Sequence, residues 1–325
     1  MAKKIRARPV RTTAQRTAAR RAIGTGEQIA AEVLQERRLA LKRRAAALSK
    51  VRPQVRARAA IPVAAQLIRA AGVPAAGVLV AEGDSWFDYP FHDVLSMLED
   101  AHAYDVESVA RKGQRVEDMA YSSGQLDDFV RAIERLLRRG ITPVAILLSG
   151  GGNDIAGDEF GMLLDHARSP SPGPNDDVVR GVIDQRIRSA FITILTVVTE
   201  LCRAKTGQAI RIVVHGYDRP VPDGRGFGGG WGPLPGPWLE PGFRQKGFLD
   251  LDASTLMIGK LIDRFNAMLK AVVTMPGFEH VRYVDLRGTL SNGPGYKRFW
   301  ANELHPTRQG FEAVAQRFAD AIVRK

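Results

Sequence analysis

Cysteine is almost absent from this 325-residue chain, where Cys202 is the only one. No intrachain disulfide can form, so a small disulfide-stapled scaffold is excluded and a reducing compartment is the natural fit. Long apolar runs are also missing. No stretch reaches the roughly 18 residues a spanning helix needs, and the N-terminus has no apolar run of signal-peptide length, so the expected compartment is the cytoplasm. A third absence is acidic residues from positions 1–26, while Arg and Lys recur there. Hydrophobic residues at 45% and charged residues at 25% are ordinary for a globular protein, which argues against a mainly disordered chain.

The formal net charge of +12 has a location. Residues 1–60 hold 17 Lys or Arg against three Glu, and the other 265 residues are close to neutral. The chain therefore divides into a basic, Ala/Arg-rich arm over residues 1–60 and a body over residues 61–325. In the arm, Glu27–Leu48 is a helix-permitting stretch between Gly24/Gly26 and Pro53. It reads first as a solvated basic helix; nucleic acid, an anionic membrane or another polyanion are the partners its charge would suit. The Arg-rich, acid-free start also matches an organellar transit peptide, without a legible cleavage pattern.

From Val78 onward, short aliphatic runs alternate with longer helical patterns, the mark of a parallel sheet with crossover helices. Strands are expected at about Val78–Ala81, Asp105–Val109, Val144–Leu148, Ile210–Val214 and Val281–Val284. Helices are expected near Gln125–Arg138, Val178–Leu201, Thr255–Val273 and Thr307–Val323. Five such units predict an α/β fold, a three-layer α/β/α domain with a five-stranded parallel, flavodoxin-like sheet whose ligands sit at the carboxyl ends of the strands. A Gly/Pro-rich insert at Asp218–Gly247 carries Phe227, Trp231, Trp238 and Phe243. It follows the fourth strand and should emerge at that edge, where its rings either meet substrate or cap the core.

Four short blocks stand at predicted strand ends. Gly83-Asp84-Ser85-Trp86 puts a serine where the first strand turns, and a serine hydroxyl becomes nucleophilic only when a base takes its proton. Arg111-Lys112-Gly113-Gln114 follows the second strand and offers the Gly113 N–H. Gly150-Gly151-Gly152-Asn153-Asp154 follows the third, where glycines allow close approach and an Asn amide can donate to a developing oxyanion. Asn302-Glu303-Leu304-His305 precedes the last helix and places an imidazole on the same edge. Each block alone is as readily a turn or a cap.

Taken in order, the blocks resemble the SGNH (GDSL-type) hydrolase family over about Val78 to Lys325. The resemblance implies an esterase or lipase-like serine hydrolase that needs no cofactor or metal. It casts Ser85 as nucleophile and His305 as general base, with the Ser85 and Gly113 N–H groups and the Asn153 side chain as the oxyanion hole. Trp86, Trp231 and Trp238 are the aromatic candidates for substrate contact, the substrate being a small-molecule, lipid or carbohydrate ester. One position departs from the pattern: the family's acid lies three residues before the histidine, where this chain has Asn302. The third member is then Asn302 or a backbone carbonyl steadying a Ser-His dyad, the neighbouring Glu303, or a remote acid such as Asp285.

Two other readings compete. Asp84, Asp88, Asn153, Asp154, His215 and Gly216 loosely suggest metallophosphoesterase ligands, although the Asp-x-His opening and Gly-Asn-His block are missing. A non-enzymatic polyanion-binding module would instead make the arm the working part. Gly-x-Ser-x-Gly occurs nowhere, which argues against a nucleophile elbow.

Overall fold

The computed structural model describes residues 13–55, 76–122, 124–157, 159–229 and 234–323. Five parallel strands form one sheet: β1 (Gly77–Glu82), β2 (Tyr104–Ser108), β3 (Ala145–Leu148), β4 (Ile212–His215) and β5 (Val281–Val284). Their order is β2-β1-β3-β4-β5. Each bound lies within two residues of its sequence expectation. Strands β3 and β4 are buried along their whole length, as parallel strands covered on both faces should be, which is why they read as unbroken aliphatic runs.

The helices are α1 (Thr13–Val55), α2 (Val94–His102), α3 (Val116–Tyr121), α4 (Gln125–Arg138), α5 (Arg188–Thr206), α6 (Glu240–Gln245), α7 (Leu251–Val273) and α8 (Arg308–Val323). A π-helical stretch, Arg180–Ile187, leads into α5. Local chemistry sets several starts. Asp93 and Ser96 form a reciprocal capping box on α2, and the Asp250 carboxylate accepts the Ala253 N–H at the start of α7. In the Gly/Pro-rich insert, expected as loop, Glu240–Gln245 is helical with a proline in its first turn.

The arm departs most from expectation. Its helix runs straight through Gly24 and Gly26, starts at Thr13 and includes Pro53. It is not solvated all round: it packs along α5, with Ala19, Ala22, Gly26 and Ala30 buried and Ile23, Ile29, Val33 and Leu34 against the core. Gly26 permits the close approach, since a Cβ there would lie 2.8 Å from the Thr196 Cβ. Arg16, Arg20, Arg21, Arg38 and Lys42 face outward.

The strand order creates the site. From β1 the chain crosses to β2 on one side and then returns to β3 on the other, so a crevice opens beyond the carboxyl ends of β1 and β3. Pairing of Glu82 with Leu148 brings the Gly83–Trp86 and Gly150–Asp154 turns side by side. Among the described residues, no helix is long and apolar enough to cross a membrane.

Candidate active site

Ser85 sits one turn beyond β1, half-buried, after a glycine that cannot be larger. A Cβ on Gly83 would meet the Ser149 Cβ at 2.7 Å and the Phe87 ring at 2.9 Å, so β1 and β3 can close only over hydrogen at this position. The Ser85 Oγ lies 2.8 Å from His305 Nε2. His305 comes from the loop before α8 and is 5% exposed.

The loop itself fixes the imidazole tautomer. Asn302 Oδ1 accepts the backbone N–H groups of Leu304 (3.0 Å) and His305 (2.9 Å), and Asn302 Nδ2 donates to the Tyr89 hydroxyl at 3.0 Å. These bonds assign the amide's oxygen to the His305 side. His305 Nδ1, 3.0 Å from the same oxygen, is then a donor, and Nε2 keeps its lone pair for the Ser85 hydroxyl proton. The Tyr89 ring stacks on the imidazole at 4.2 Å and the Trp238 ring meets it edge-on at 5.3 Å. Burial, with no acid in contact to offset it, pushes the His305 pKa down to about 3.

Glu303 points elsewhere. Its fully buried carboxylate accepts four backbone N–H groups of the insert: Trp238 (2.7 Å), Leu239 (2.8 Å), Gly224 (3.0 Å) and Glu240 (3.1 Å). Burial raises its pKa while those donors oppose the rise. Asp285, the remote candidate, is paired with Arg287, which holds its pKa low. The imidazole's hydrogen-bond partner is therefore Asn302, and neither acid is placed against it.

Asn153 shares the cleft wall with Ser85. Its Nδ2 donates to the Gln114 carbonyl at 2.9 Å, and the neighbouring Asp154 carboxylate accepts the Val116 (2.8 Å) and Glu117 (3.4 Å) N–H groups at the start of α3. Burial lifts the Asp154 pKa to about 6. Gly151 has φ +99°, and a Cβ there would collide with Phe265 at 2.4 Å, so the glycine run is needed to bring Asn153 to the edge. Gly113 lies in an open, exposed turn with φ +80° and does not line the cleft; it precedes Gln114, whose carbonyl holds Asn153.

A second polar cluster lies beneath the Gly83–Trp86 turn, and sequence reasoning missed it. Asp84 Oδ1 accepts the Ser149 hydroxyl (2.7 Å) and the Trp86 N–H (3.0 Å), and Oδ2 accepts the Tyr217 hydroxyl (2.5 Å). His215 Nε2 meets Ser149 Oγ at 2.8 Å and Nδ1 lies 3.0 Å from the Gly216 carbonyl. The ends of β1, β3 and β4 are thus laced by one carboxylate. The nitrogens of His215 and the oxygens of Asp84, both candidate metal ligands by sequence, are engaged here with protein partners. Among the described residues no three His, Cys, Asp or Glu side chains gather as a ligand set. Tyr89 left no pattern in the sequence by which to find it.

Of the aromatic candidates, Trp86 lines the cleft, donates to the Leu304 carbonyl at 3.1 Å and stacks on His215. Trp238 flanks His305, while Trp231 lies outside the described residues. The insert's other rings divide: Phe227 meets Tyr89 edge-on, and Phe243 is buried against Phe160.

No protein-family model matches the sequence, and no curated protein matches it. Solved structures similar in outline include a catalytic mutant of Axe2, an acetylxylan esterase from Geobacillus stearothermophilus, at 12% identity over 78% of this chain and 97% of that one, TM-score 0.39. Est24, a carbohydrate acetylesterase from Sinorhizobium meliloti, is 13% identical over 75% of this chain and 97% of its own, TM-score 0.40. A family 3 carbohydrate esterase from Clostridium thermocellum is 12% identical over 76% and 94%, TM-score 0.40. The α/β assignment rests on the strand order, and the site on its distances.

Proposed function

We propose that the protein is a serine hydrolase that cleaves carboxylic esters, with Ser85 as nucleophile and His305 as general base. The observation that carries this reading is that Ser85, 2.8 Å from His305 Nε2 with Nδ1 tied to Asn302, opens on the cleft, which the equally close Ser149–His215 pair does not. In the first step Ser85 Oγ bonds to the ester carbonyl carbon as its proton passes to His305 Nε2. The charge that develops on the carbonyl oxygen falls to the Ser85 N–H and the Asn153 amide; the Gly113 N–H joins this set on the family resemblance alone. His305 then returns the proton to the departing alcohol, and water repeats the sequence on the acyl-serine. Asn302 orients the base throughout but supplies no negative charge to the imidazolium. The arm's outward Arg and Lys side chains are assigned to an anionic surface.

A serine-directed fluorophosphonate should label the full-length protein at Ser85, and the label should be absent from Ser85→Ala. A wild-type protein that neither takes up the reagent nor turns over p-nitrophenyl esters would overturn the reading.

A further inference from the structure

The cleft beside Ser85 is apolar and tight. Ile155 and Ala156 form one wall, Leu239 another, and Ile258 and Ile262, one turn apart on α7, close it. The cleft is narrow, with only about 40 Å³ of room for water-sized groups. So narrow a gap suits a short acyl chain.

We propose that this cleft is an acyl pocket for short chains such as acetyl and butyryl, and that Glu303 keeps it narrow by pinning Leu239. The proposal rests on the ester-hydrolase reading above. Leu239 is 1% exposed, and it belongs to an insert that would otherwise cross the site as a loop. Its N–H and those of its two neighbours all end on the Glu303 carboxylate, next in sequence to Asn302. The pocket wall and the base loop are thereby fastened together by charge-assisted bonds. Glu303 is in this sense a positioning residue. A glutamine keeps one acceptor oxygen and turns the other into a donor facing N–H groups, so Glu303→Gln should let the Leu239 wall yield without touching the imidazole.

The test is kcat/KM on p-nitrophenyl acetate, butyrate, hexanoate and octanoate, with fluorophosphonate labelling and a pH profile run alongside. One methylene too many in a fitted apolar pocket costs roughly 10- to 200-fold, so wild-type activity should drop by at least about tenfold between butyrate and hexanoate. Ile262→Ala should move that break to longer chains. Glu303→Gln should shrink the butyrate-to-octanoate ratio by roughly tenfold while leaving the acidic limb of the pH profile in place, a result that loss of a catalytic acid would not give. Labelling with equal turnover of butyrate and octanoate by the wild type overturns the pocket and leaves the esterase standing. So does an unchanged profile in both Ile262→Ala and the milder Ile262→Val. Absence of labelling and of turnover on all four esters overturns the esterase reading instead.

Discussion

The molecule holds two buried histidines, each with Nε2 2.8 Å from a serine hydroxyl, and only one of the two serines opens on the cleft. Ser85 is half-buried and opens on the cleft, whereas Ser149 is fully sealed and its hydroxyl is spent on Asp84. Both imidazoles have an acceptor on Nδ1, Asn302 for His305 and the Gly216 carbonyl for His215, so both keep Nε2 as an acceptor; His215, however, is stacked on Trp86 and sealed from the cleft. A serine-histidine distance is therefore a poor sign of catalysis by itself. What separates the pairs is access for an electrophile and where the serine's own proton already goes.

The largest effects should test that contrast directly. Ser85→Ala and His305→Ala should each cut ester turnover by several orders of magnitude, and the double variant should lose little more, because the two act as a unit. Ser149→Ala should keep full labelling and lose roughly 1–3 kcal/mol of stability, seen as a lower Tm, from the buried partners it abandons. If Ser149→Ala abolished labelling while Ser85→Ala did not, the two pairs would have been assigned the wrong way round. Asn153→Ala comes next, with a fall of roughly 100- to 1000-fold in kcat, as for one lost oxyanion donor. A rise in KM alone would make Asn153 a substrate contact.

Much of this contrast was invisible in the sequence. The five strands were legible because parallel strands buried on both faces are continuous aliphatic runs, and so was the meeting of Ser85, Asn153 and His305 at one sheet edge, because each follows a strand. The choice between Asn302 and Glu303 was not, since adjacent residues point to different sides and only the loop's own N–H groups reveal which one. The Asp84–Ser149–His215–Tyr217 cluster escaped because its members come from three separate strand ends with no shared spacing. The docking of α1 escaped because its glycines and Arg content read as breaks and solvated charge; Gly26 is instead the residue that lets the helix sit on Thr196.

A moderate effect should follow from changing the partner of His305. Because burial lowers the His305 pKa to about 3, the acidic limb of kcat/KM should lie well below the ordinary imidazole value of 6.5. The same shift makes a stability statement. The unfolded imidazole gains a proton below about 6.5 and the folded one does not until about 3, so this contribution to stability is present at neutral pH and is lost as pH falls between those values. In Asn302→Asp a carboxylate beside Nδ1 favours the imidazolium, so the limb should move to higher pH and the rate near pH 8 should rise, at most roughly tenfold per unit of added basicity. An unmoved limb would show that His305 is not the group titrating.

The smallest effect on chemistry is expected from the arm, whose described residues pack on α5 rather than at the cleft. Removing residues 1–60 takes away α1, whose Ala19, Ala22 and Ala30 are buried, so the truncated protein should melt earlier while p-nitrophenyl acetate turnover changes by no more than about twofold. Its charge and its packing can be separated with one substitution. Gly26→Leu places a side chain where even a Cβ would lie 2.8 Å from Thr196, so it should undock the helix and lower the Tm yet leave every Arg and Lys in place. If the outward Arg16, Arg20, Arg21, Arg38 and Lys42 serve an anionic surface, Gly26→Leu should still bind heparin or anionic vesicles at low salt and release them as ionic strength rises, and the truncated form should bind neither. Equal binding by the truncated protein, or binding that ignores salt, would leave α1 as a packing element for α5 alone.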